Sequence, residues 1–101
     1  MSHGLSEKTV EELKGIFRGR AEIDQAILYG SRAKGSHESG SDIDIALVGN
    51  SLSLKDLLQI RREIESLNLP YIVDLVLYHK IQNQDLIDHI TRVGIVIHEK
   101  V

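Results

Sequence analysis

The spacing of apolar residues changes from a helical period to a strand period near the start of the chain. Ser6 is a suitable helix N-cap. The apolar residues that follow it at helical spacing are Val10, Leu13 and Phe17. Residues 26–29 then form an apolar run that ends at Gly30. The pattern predicts a helix followed by a buried strand of about four or five residues.

A loop and a second strand follow Gly30. Residues 31–41 are rich in glycine and serine, which predicts a loop with room for one helical turn at its start. Residues 42–48 have the two-residue period of a strand. One face of this strand carries Ile43, Ile45 and Leu47, and we expect it to be the core face. The opposite face carries Asp42, Asp44, Ala46 and Val48.

The middle of the chain predicts a capped helix and a third strand. Ser53 and Asp56 have the spacing of a capping box. A helix of about fifteen residues is expected to follow. Its apolar residues are Leu54, Leu57, Leu58, Ile64 and Leu67. Pro70 separates this helix from residues 71–77, a β-branched and aromatic run that is interrupted by one charge, Asp74.

The last part of the chain predicts one more helix and a terminal strand. Asn83 is a suitable cap for a helix whose apolar residues are Leu86, Ile87, Ile90 and Val93. Gly94 ends that helix before a strand at residues 95–98. The order of elements is therefore α-β-loop-β-α-β-α-β, without an internal repeat or linker. We expect one layered α/β domain over residues 1–101.

Composition and charge exclude several classes of protein. The chain has 101 residues, no cysteine and a formal net charge of -3. The negative charge argues against a protein that grips a nucleic-acid backbone, so we expect no direct nucleic-acid binding. The lack of cysteine excludes disulfides and thiolate metal sites. The N-terminal residues do not resemble a signal peptide, and no apolar run is long enough to span a membrane. We therefore expect a cytoplasmic protein that does not bind a membrane.

Three aspartates occupy strand positions where an unpaired charge is costly. Asp42 and Asp44 share a face of the second strand, roughly 6 to 7 Å apart by strand rise, and Asp74 interrupts the third strand. If these strands are neighbours, the three carboxylates form a cluster that needs a counter-ion. Oxygen ligands favour Mg²⁺ or Mn²⁺, and two such ions are the usual clamp for displacement at phosphorus. Alternatively, Asp42 caps a turn, Asp44 faces solvent and Asp74 belongs to an ion pair.

Gly30 and Ser31 directly follow the first strand and have the chemistry of a phosphate site. Glycine lets the backbone approach a ligand, and serine offers a hydroxyl and an N–H donor. Arg32 and Lys34 add positive charge that can balance a triphosphate tail. By itself the Gly-Ser pair indicates only a turn. Its separation of ten residues from the aspartate pair makes the combination far more specific.

The segment from Gly30 to Asp44, with Asp74 on a later strand, resembles the signature of the DNA polymerase beta-like nucleotidyltransferase superfamily. The short chain is similar to the minimal nucleotidyltransferases, or MNT proteins. The resemblance implies the nucleotidyltransferase fold, an α/β (α+β) fold with a small mixed β-sheet flanked by helices. It implies that Gly30 and Ser31 bind the triphosphate of ATP and that Asp42 and Asp44 hold two Mg²⁺ ions. Asp74 would be the third metal-site carboxylate and would align or deprotonate the attacking hydroxyl.

The resemblance also implies a partner. Family members of this size are commonly encoded beside a helical HEPN protein, with which they form a toxin–antitoxin pair. The chain would then be the antitoxin and would transfer AMP from ATP to a tyrosine of the HEPN toxin. Two alternatives stay open: an antitoxin that masks its partner without catalysis, and transfer to a small-molecule hydroxyl. The second is less favoured because no further domain is expected to build an acceptor pocket. The base preference and the choice between a homo- and a hetero-oligomer also stay open.

The remaining histidines and tyrosines receive no part in the predicted chemistry. The five histidines lack the spacing of a metal site, and we expect them to be surface or capping residues. They are His3, His37, His79, His89 and His98. Of these, only His37 lies in the loop of residues 31–41, where its side chain could contact phosphate. Tyr71 and Tyr78 flank the third strand and are expected to pack rather than to bind substrate.

Overall fold

The structure is a computed structural model that describes residues 4–35 and 42–100. Its elements in chain order are α1 (Glu7–Arg18), β1 (Gln25–Tyr29), α2 (Ser31–Lys34), β2 (Ile43–Val48), α3 (Leu54–Glu65), β3 (Val73–Leu77), a 3-10 turn (Tyr78–Lys80), α4 (Gln84–Val93) and β4 (Ile95–Glu99). This order confirms the predicted succession, with α2 as the helical turn that opens the loop. The 3-10 turn was not predicted. In the described residues, no helix has both the length and the apolar character needed to cross a membrane.

The four strands form one mixed sheet in the order β3-β2-β1-β4. β1 pairs antiparallel with β2 and with β4, whereas β2 and β3 run parallel. α3 connects the two parallel strands, as a crossover helix must when consecutive strands run in the same direction. The sheet is flanked by helices, which confirms the predicted α/β fold class.

Side-chain caps begin three of the helices where the sequence predicted them. Ser6 accepts the N–H of Thr9 at 3.1 Å at the start of α1. Ser53 and Asp56 form the reciprocal bonds of a capping box at the start of α3. At the start of α4, Asn83 accepts two backbone N–H groups. These bonds satisfy donors that have no partner within the helix, so local sequence determines where each helix starts.

The main core lies between one face of the sheet and the helices α1 and α3. The predicted core residues of β2, which are Ile43, Ile45 and Leu47, are fully buried there. Phe17 from α1 and Ile60 from α3 are also fully buried in this cluster. The alternation in β2 therefore predicted the core face correctly.

Two leucines of α3 do not face the core as the sequence suggested. Leu54 is 65% exposed and Leu58 is 43% exposed, whereas Ile60 and Ile64 are buried. At 100° per residue, Leu54 and Leu58 lie about 120° and 160° around the helix from Ile60. They therefore fall outside the stripe that contacts the sheet. The helix also spans 12 residues, so it is shorter than predicted.

The opposite face of the sheet has a smaller apolar cluster under α4. Tyr29, Ala46 and Ile90 are buried together there. Ala46 shares its strand face with Asp44, because side chains two apart on a strand project to the same side. The face that carries the aspartates is thus partly covered by α4, and this helix helps to position the site.

Candidate active site

The sheet brings two of the predicted carboxylates directly together. Asp44 of β2 is the register partner of Asp74 of β3 in the parallel pair, so both side chains project to the same face. Asp42 precedes β2 and is exposed. Across the antiparallel pair, Asp44 lies opposite Tyr29 of β1. The condition set by the sequence, that the second and third strands be neighbours, is confirmed.

Burial and like charges shape the electrostatics of this cluster. Burial raises the pKa of Asp44 above its usual value, and the charges of Asp74 and then Asp42 raise it further. The imidazole of His89 acts in the opposite direction on that pKa. Burial, with the charges of Asp44 and Asp74, raises the pKa of Tyr29 to about 12. Negative potential is therefore concentrated at this end of the sheet, and the Tyr29 hydroxyl keeps its proton at neutral pH.

The donor chemistry of these residues suits a divalent cation. Within residues 4–35 and 42–100, no three His, Asp or Glu side chains are close enough together to form a ready-made metal site. Burial, and then the charges of Asp74 and Asp42, nevertheless oppose the ionisation of Asp44 and raise its pKa. A bound Mg²⁺ or Mn²⁺ would remove that repulsion and draw the oxygens together. Asp42, Asp44 and Asp74 thus fit such an ion, and their role as its ligands stays a prediction.

Gly30, in the turn after β1, lies directly against the carboxylate of Asp44. Its backbone has φ 79° and ψ -155°, a conformation essentially restricted to glycine. A Cβ at this position would lie 2.5 Å from Asp44 Oδ2. The glycine is therefore needed both for its backbone conformation and for the close approach of the carboxylate. The predicted phosphate seat and the predicted metal ligand occupy one continuous site.

The turn continues into the short helix α2, which begins at Ser31. Gly35 ends this helix in the left-handed conformation with φ 78°, and its N–H donates to Arg32 O at 3.2 Å. Ser31 is half-buried next to Gly30. The side chain of Lys34 and the whole of His37 lie outside the described part of the chain, so their predicted contacts with phosphate stay predictions.

Arg32 is placed differently from what its charge suggested. Its side chain is only 2% exposed, and its Cζ atom lies 4.7 Å from the centroid of the Tyr71 ring. Tyr71 itself packs against the main core, as the sequence predicted for this ring. The guanidinium therefore ties α2 to the segment before β3 through a cation–π contact. Direct binding of the triphosphate by Arg32 stays a prediction, and its burial favours an effect through the position of α2.

His89 belongs to this site, so its prediction as a surface or capping residue was wrong. Its Nε2 accepts the N–H of Gly30 at 3.1 Å, and its ring meets that of Tyr29 edge to face, with centroids 6.2 Å apart. A signal was present in α4, whose positions 86, 89, 90 and 93 have the i, i+3, i+4, i+7 spacing of a buried face. His79 is exposed as predicted, whereas His98 is half-buried beside Phe17.

Comparison with known proteins identifies the fold. A toxin–antitoxin structure with AMP-PNP matches with a TM-score of 0.74 and 22% sequence identity, over 90% of this chain and 73% of that chain. A complex of a tri-AMPylated Shewanella oneidensis HEPN toxin with an MNT antitoxin matches with a TM-score of 0.72 and 18% identity, over 95% and 74% of the respective chains. The MntA–HepT toxin–antitoxin structure matches with a TM-score of 0.71 and 18% identity, over 94% and 74%.

Sequence comparison assigns the family. Among proteins with curated functions, none matches this sequence. The family model described as polymerase beta, nucleotidyltransferase matches residues 11–101. That segment contains the predicted phosphate-binding turn and all three predicted carboxylates. The chain therefore belongs to the polymerase beta nucleotidyltransferase family.

Proposed function

We propose that this protein transfers AMP from ATP to a tyrosine hydroxyl of a HEPN toxin and thereby acts as its antitoxin in the cytoplasm. The observation that carries the proposal is the contact between the two halves of the site. Asp44 is aligned with Asp74 across parallel strands, and it lies so close to Gly30 that a Cβ there would come within 2.5 Å of Asp44 Oδ2 and force the carboxylate to move. A nucleotide held at the turn would therefore present its phosphates to the carboxylates.

The related structures support the choice of nucleotide, acceptor and partner. One of them contains AMP-PNP, an analogue of ATP, and another contains a HEPN toxin that carries AMP groups beside an MNT antitoxin. Family membership supports the reaction class. Together these relatives favour AMP as the group transferred and a HEPN protein as the acceptor.

In the proposed reaction the residues of this chain bind the triphosphate, orient the attacking hydroxyl and accept its proton. Ser31 offers its hydroxyl and N–H to the triphosphate, while Gly30 permits the close approach. The tyrosine oxygen forms a bond to the α-phosphorus of ATP, the bond from that phosphorus to the α–β bridging oxygen breaks, and pyrophosphate leaves. Asp74 aligns the attacking hydroxyl and accepts its proton. Mg²⁺ held by Asp42, Asp44 and Asp74 would supply charge neutralisation at the phosphates.

Label transfer tests the proposed activity directly. The chain is incubated with ATP labelled at the α-phosphate, Mg²⁺ and the purified HEPN protein that we propose as its partner. We expect the toxin to become labelled, and we expect labelling to stop when EDTA removes the metal. Asp44→Asn should lower the rate at least about 100-fold, the usual scale for loss of a group that stabilises charge at the reacting centre.

A matched variant controls for the loss of one negative charge. Asp24 is exposed and precedes β1, so Asp24→Asn removes a carboxylate away from the site and should leave the labelling rate unchanged. Failure of the wild-type chain to label the toxin with any nucleotide would refute the proposal. Equal labelling by the wild-type chain and the Asp44→Asn variant would refute the assigned site.

A further inference from the structure

One hydrogen bond joins the turn after β1 to a helix far along the chain. The N–H of Gly30 donates to His89 Nε2 at 3.1 Å, across 59 positions of sequence. The bond is partly buried, so competition from water is reduced. His89 lies in α4, one residue before Ile90, which is buried in the smaller apolar cluster. The imidazole is therefore attached to a packed helix rather than to a mobile loop.

Among the described residues, the cation–π contact of Arg32 with Tyr71 holds α2, but the local sequence provides little that selects the conformation of Gly30 itself. Gly30 is the N-cap position of α2 but provides no side-chain cap, and α2 is only four residues long. Glycine also has more backbone freedom than any other residue, so an external contact is needed to select φ 79°. The bond from Gly30 to His89 is a contact of that kind.

The packing around His89 fixes which way its ring points. The ring contacts Tyr29 edge to face at an interplanar angle of 80°, and Tyr29 is only 8% exposed. Nε2 is the acceptor in this bond, so the ring carries its N–H on Nδ1. Tyr29 in turn lies opposite Asp44 in the sheet. His89, Gly30 and Asp44 thus form one connected arrangement around Tyr29.

We propose that His89 is a positioning residue for the triphosphate of the nucleotide. By accepting the Gly30 N–H, it holds the turn in the conformation in which the Asp44 carboxylate lies against Gly30 and Ser31 can offer its hydroxyl to the phosphates. A consequence is that Gly30 contributes backbone shape, because its single N–H is already donated to His89. This inference rests on the proposed function, since it concerns how that site binds its nucleotide.

Three substitutions at His89 separate the hydrogen bond from the bulk of the ring. His89→Leu fills similar space without an acceptor. His89→Asn stays polar, but its amide oxygen reaches only about as far as Nδ1 and cannot meet the Gly30 N–H. His89→Gln places an amide oxygen close to the position of Nε2 and should restore the bond. His79→Leu is the matched control, because His79 is an exposed histidine in the 3-10 turn.

The variants are compared by two measurements. The first is hydrogen exchange of the Gly30 amide by NMR without nucleotide. The second is the KM for ATP and the kcat of label transfer. We expect faster Gly30 exchange and an ATP KM raised about five- to tenfold in the Leu and Asn variants, the scale of one hydrogen bond, with a smaller change in kcat. His89→Gln should recover most of the slow Gly30 exchange and of the low ATP KM. His79→Leu should match the wild type in both the exchange rate and the KM.

The possible results distinguish the inference from the function on which it rests. Unchanged Gly30 exchange in the Leu and Asn variants would overturn the hydrogen bond itself. Faster exchange with an unchanged ATP KM would overturn the positioning role while leaving the proposed function intact. A wild-type chain that neither binds ATP nor labels the toxin would overturn the proposed function and the positioning role with it. If His89→Leu fails to fold, the Asn and Gln pair gives the same comparison.

Discussion

Gly30 is the position at which an added side chain would overlap with the carboxylate of Asp44. Gly30→Ala would place a methyl group 2.5 Å from Asp44 Oδ2 and would force an L residue into a backbone conformation that only glycine adopts readily. We expect a loss of ~1–3 kcal/mol in the free energy of unfolding. We also expect label transfer to fall at least about 100-fold, because Asp44 must move.

Gly15 provides the control for this substitution. It lies in α1, and a Cβ built there meets nothing within 4 Å. Gly15→Ala should therefore raise the free energy of unfolding by about 0.5–1 kcal/mol, since alanine loses less entropy in a helix. Urea denaturation measures the free energy of unfolding of both variants. A Gly30→Ala protein as stable and active as the wild type would contradict the assigned clash.

Asp44 is a carboxyl group whose surroundings disfavour its ionised form. Burial and the neighbouring carboxylates raise its pKa in the folded chain above the unfolded value. A raised carboxyl pKa means that the group favours folding below its unfolded pKa and that this contribution is lost as pH rises through the folded pKa. At neutral pH without metal, the ionised Asp44 therefore opposes folding.

Replacement of Asp44 by asparagine should consequently stabilise the metal-free chain while abolishing transfer. We expect a gain of at most about 1 kcal/mol at pH 7, because Asp44 is half-buried and solvent screens part of its charge. The gain should shrink as pH falls and vanish below the unfolded pKa of an aspartate. Denaturation over a pH series in EDTA tests this, with Asp24→Asn as the exposed control. A variant less stable than the wild type at pH 7 would show that Asp44 is not destabilising.

The contacts of Arg32 and His89 mark the limit of residue-by-residue inference. The phosphate chemistry predicted for Gly30 and Ser31 depends on adjacent residues, so the sequence alone was enough to propose it. The burial of Arg32 beneath Tyr71 and the bond from Gly30 to His89 depend on how distant elements pack. The helical spacing of residues 86–93 places position 89 on the buried side of α4, but it does not specify the atom that the ring will meet.

At the scale of elements, the two strands that carry the aspartates are arranged by strand period and connection. The alternation in β2 separates Asp44 from Ile43, Ile45 and Leu47. A helix between two strands favours a parallel crossover, so α3 makes β2 and β3 reasonable neighbours. The exact register that aligns Asp44 with Asp74 required the structure, because short apolar strands allow several registers.

α4 begins at a local cap and also carries His89, which contacts Gly30. Asn83 accepts the N–H groups of Asp85 at 2.9 Å and Leu86 at 3.3 Å. Asn83→Ala removes both bonds and should lower the free energy of unfolding by about 1 kcal/mol. Fraying at residue 84 is more than one turn away from His89, so we expect the KM for ATP to remain unchanged.

The matched variant for this cap is Asn83→Asp, which keeps an acceptor at the same position and should keep the stability of the wild type. Urea denaturation and the label-transfer assay give the two readouts. A large rise in the ATP KM for Asn83→Ala would mean that the start of α4 takes part in positioning His89. Equal stability of the Ala and Asp variants would mean that the cap contributes nothing measurable.

At the scale of the whole molecule, the sheet divides the protein into a core side and a site side. α1 and α3 bury one face, whereas α4 covers only part of the other, where the aspartates lie. In the part of the chain that the structure describes, a face that α4 covers only in part leaves room for a side chain from another protein. That arrangement agrees with a protein acceptor. The extent of the domain, predicted as residues 1–101, stays a prediction.

The biological role depends on whether catalysis or binding neutralises the partner, and Asp44 separates these alternatives. The HEPN protein is expressed in cells with the wild-type chain, Asp44→Asn or Asp24→Asn, and growth is measured together with recovery of the complex. We expect Asp44→Asn to bind the toxin but to fail to restore growth, because the exposed edge of the site is unchanged while AMP transfer stops. Asp24→Asn should restore growth as the wild type does.

Full growth with Asp44→Asn, with no AMP on the toxin, would show that masking is sufficient. In that case the carboxylates and the phosphate-binding turn would serve the complex through their shape rather than through chemistry.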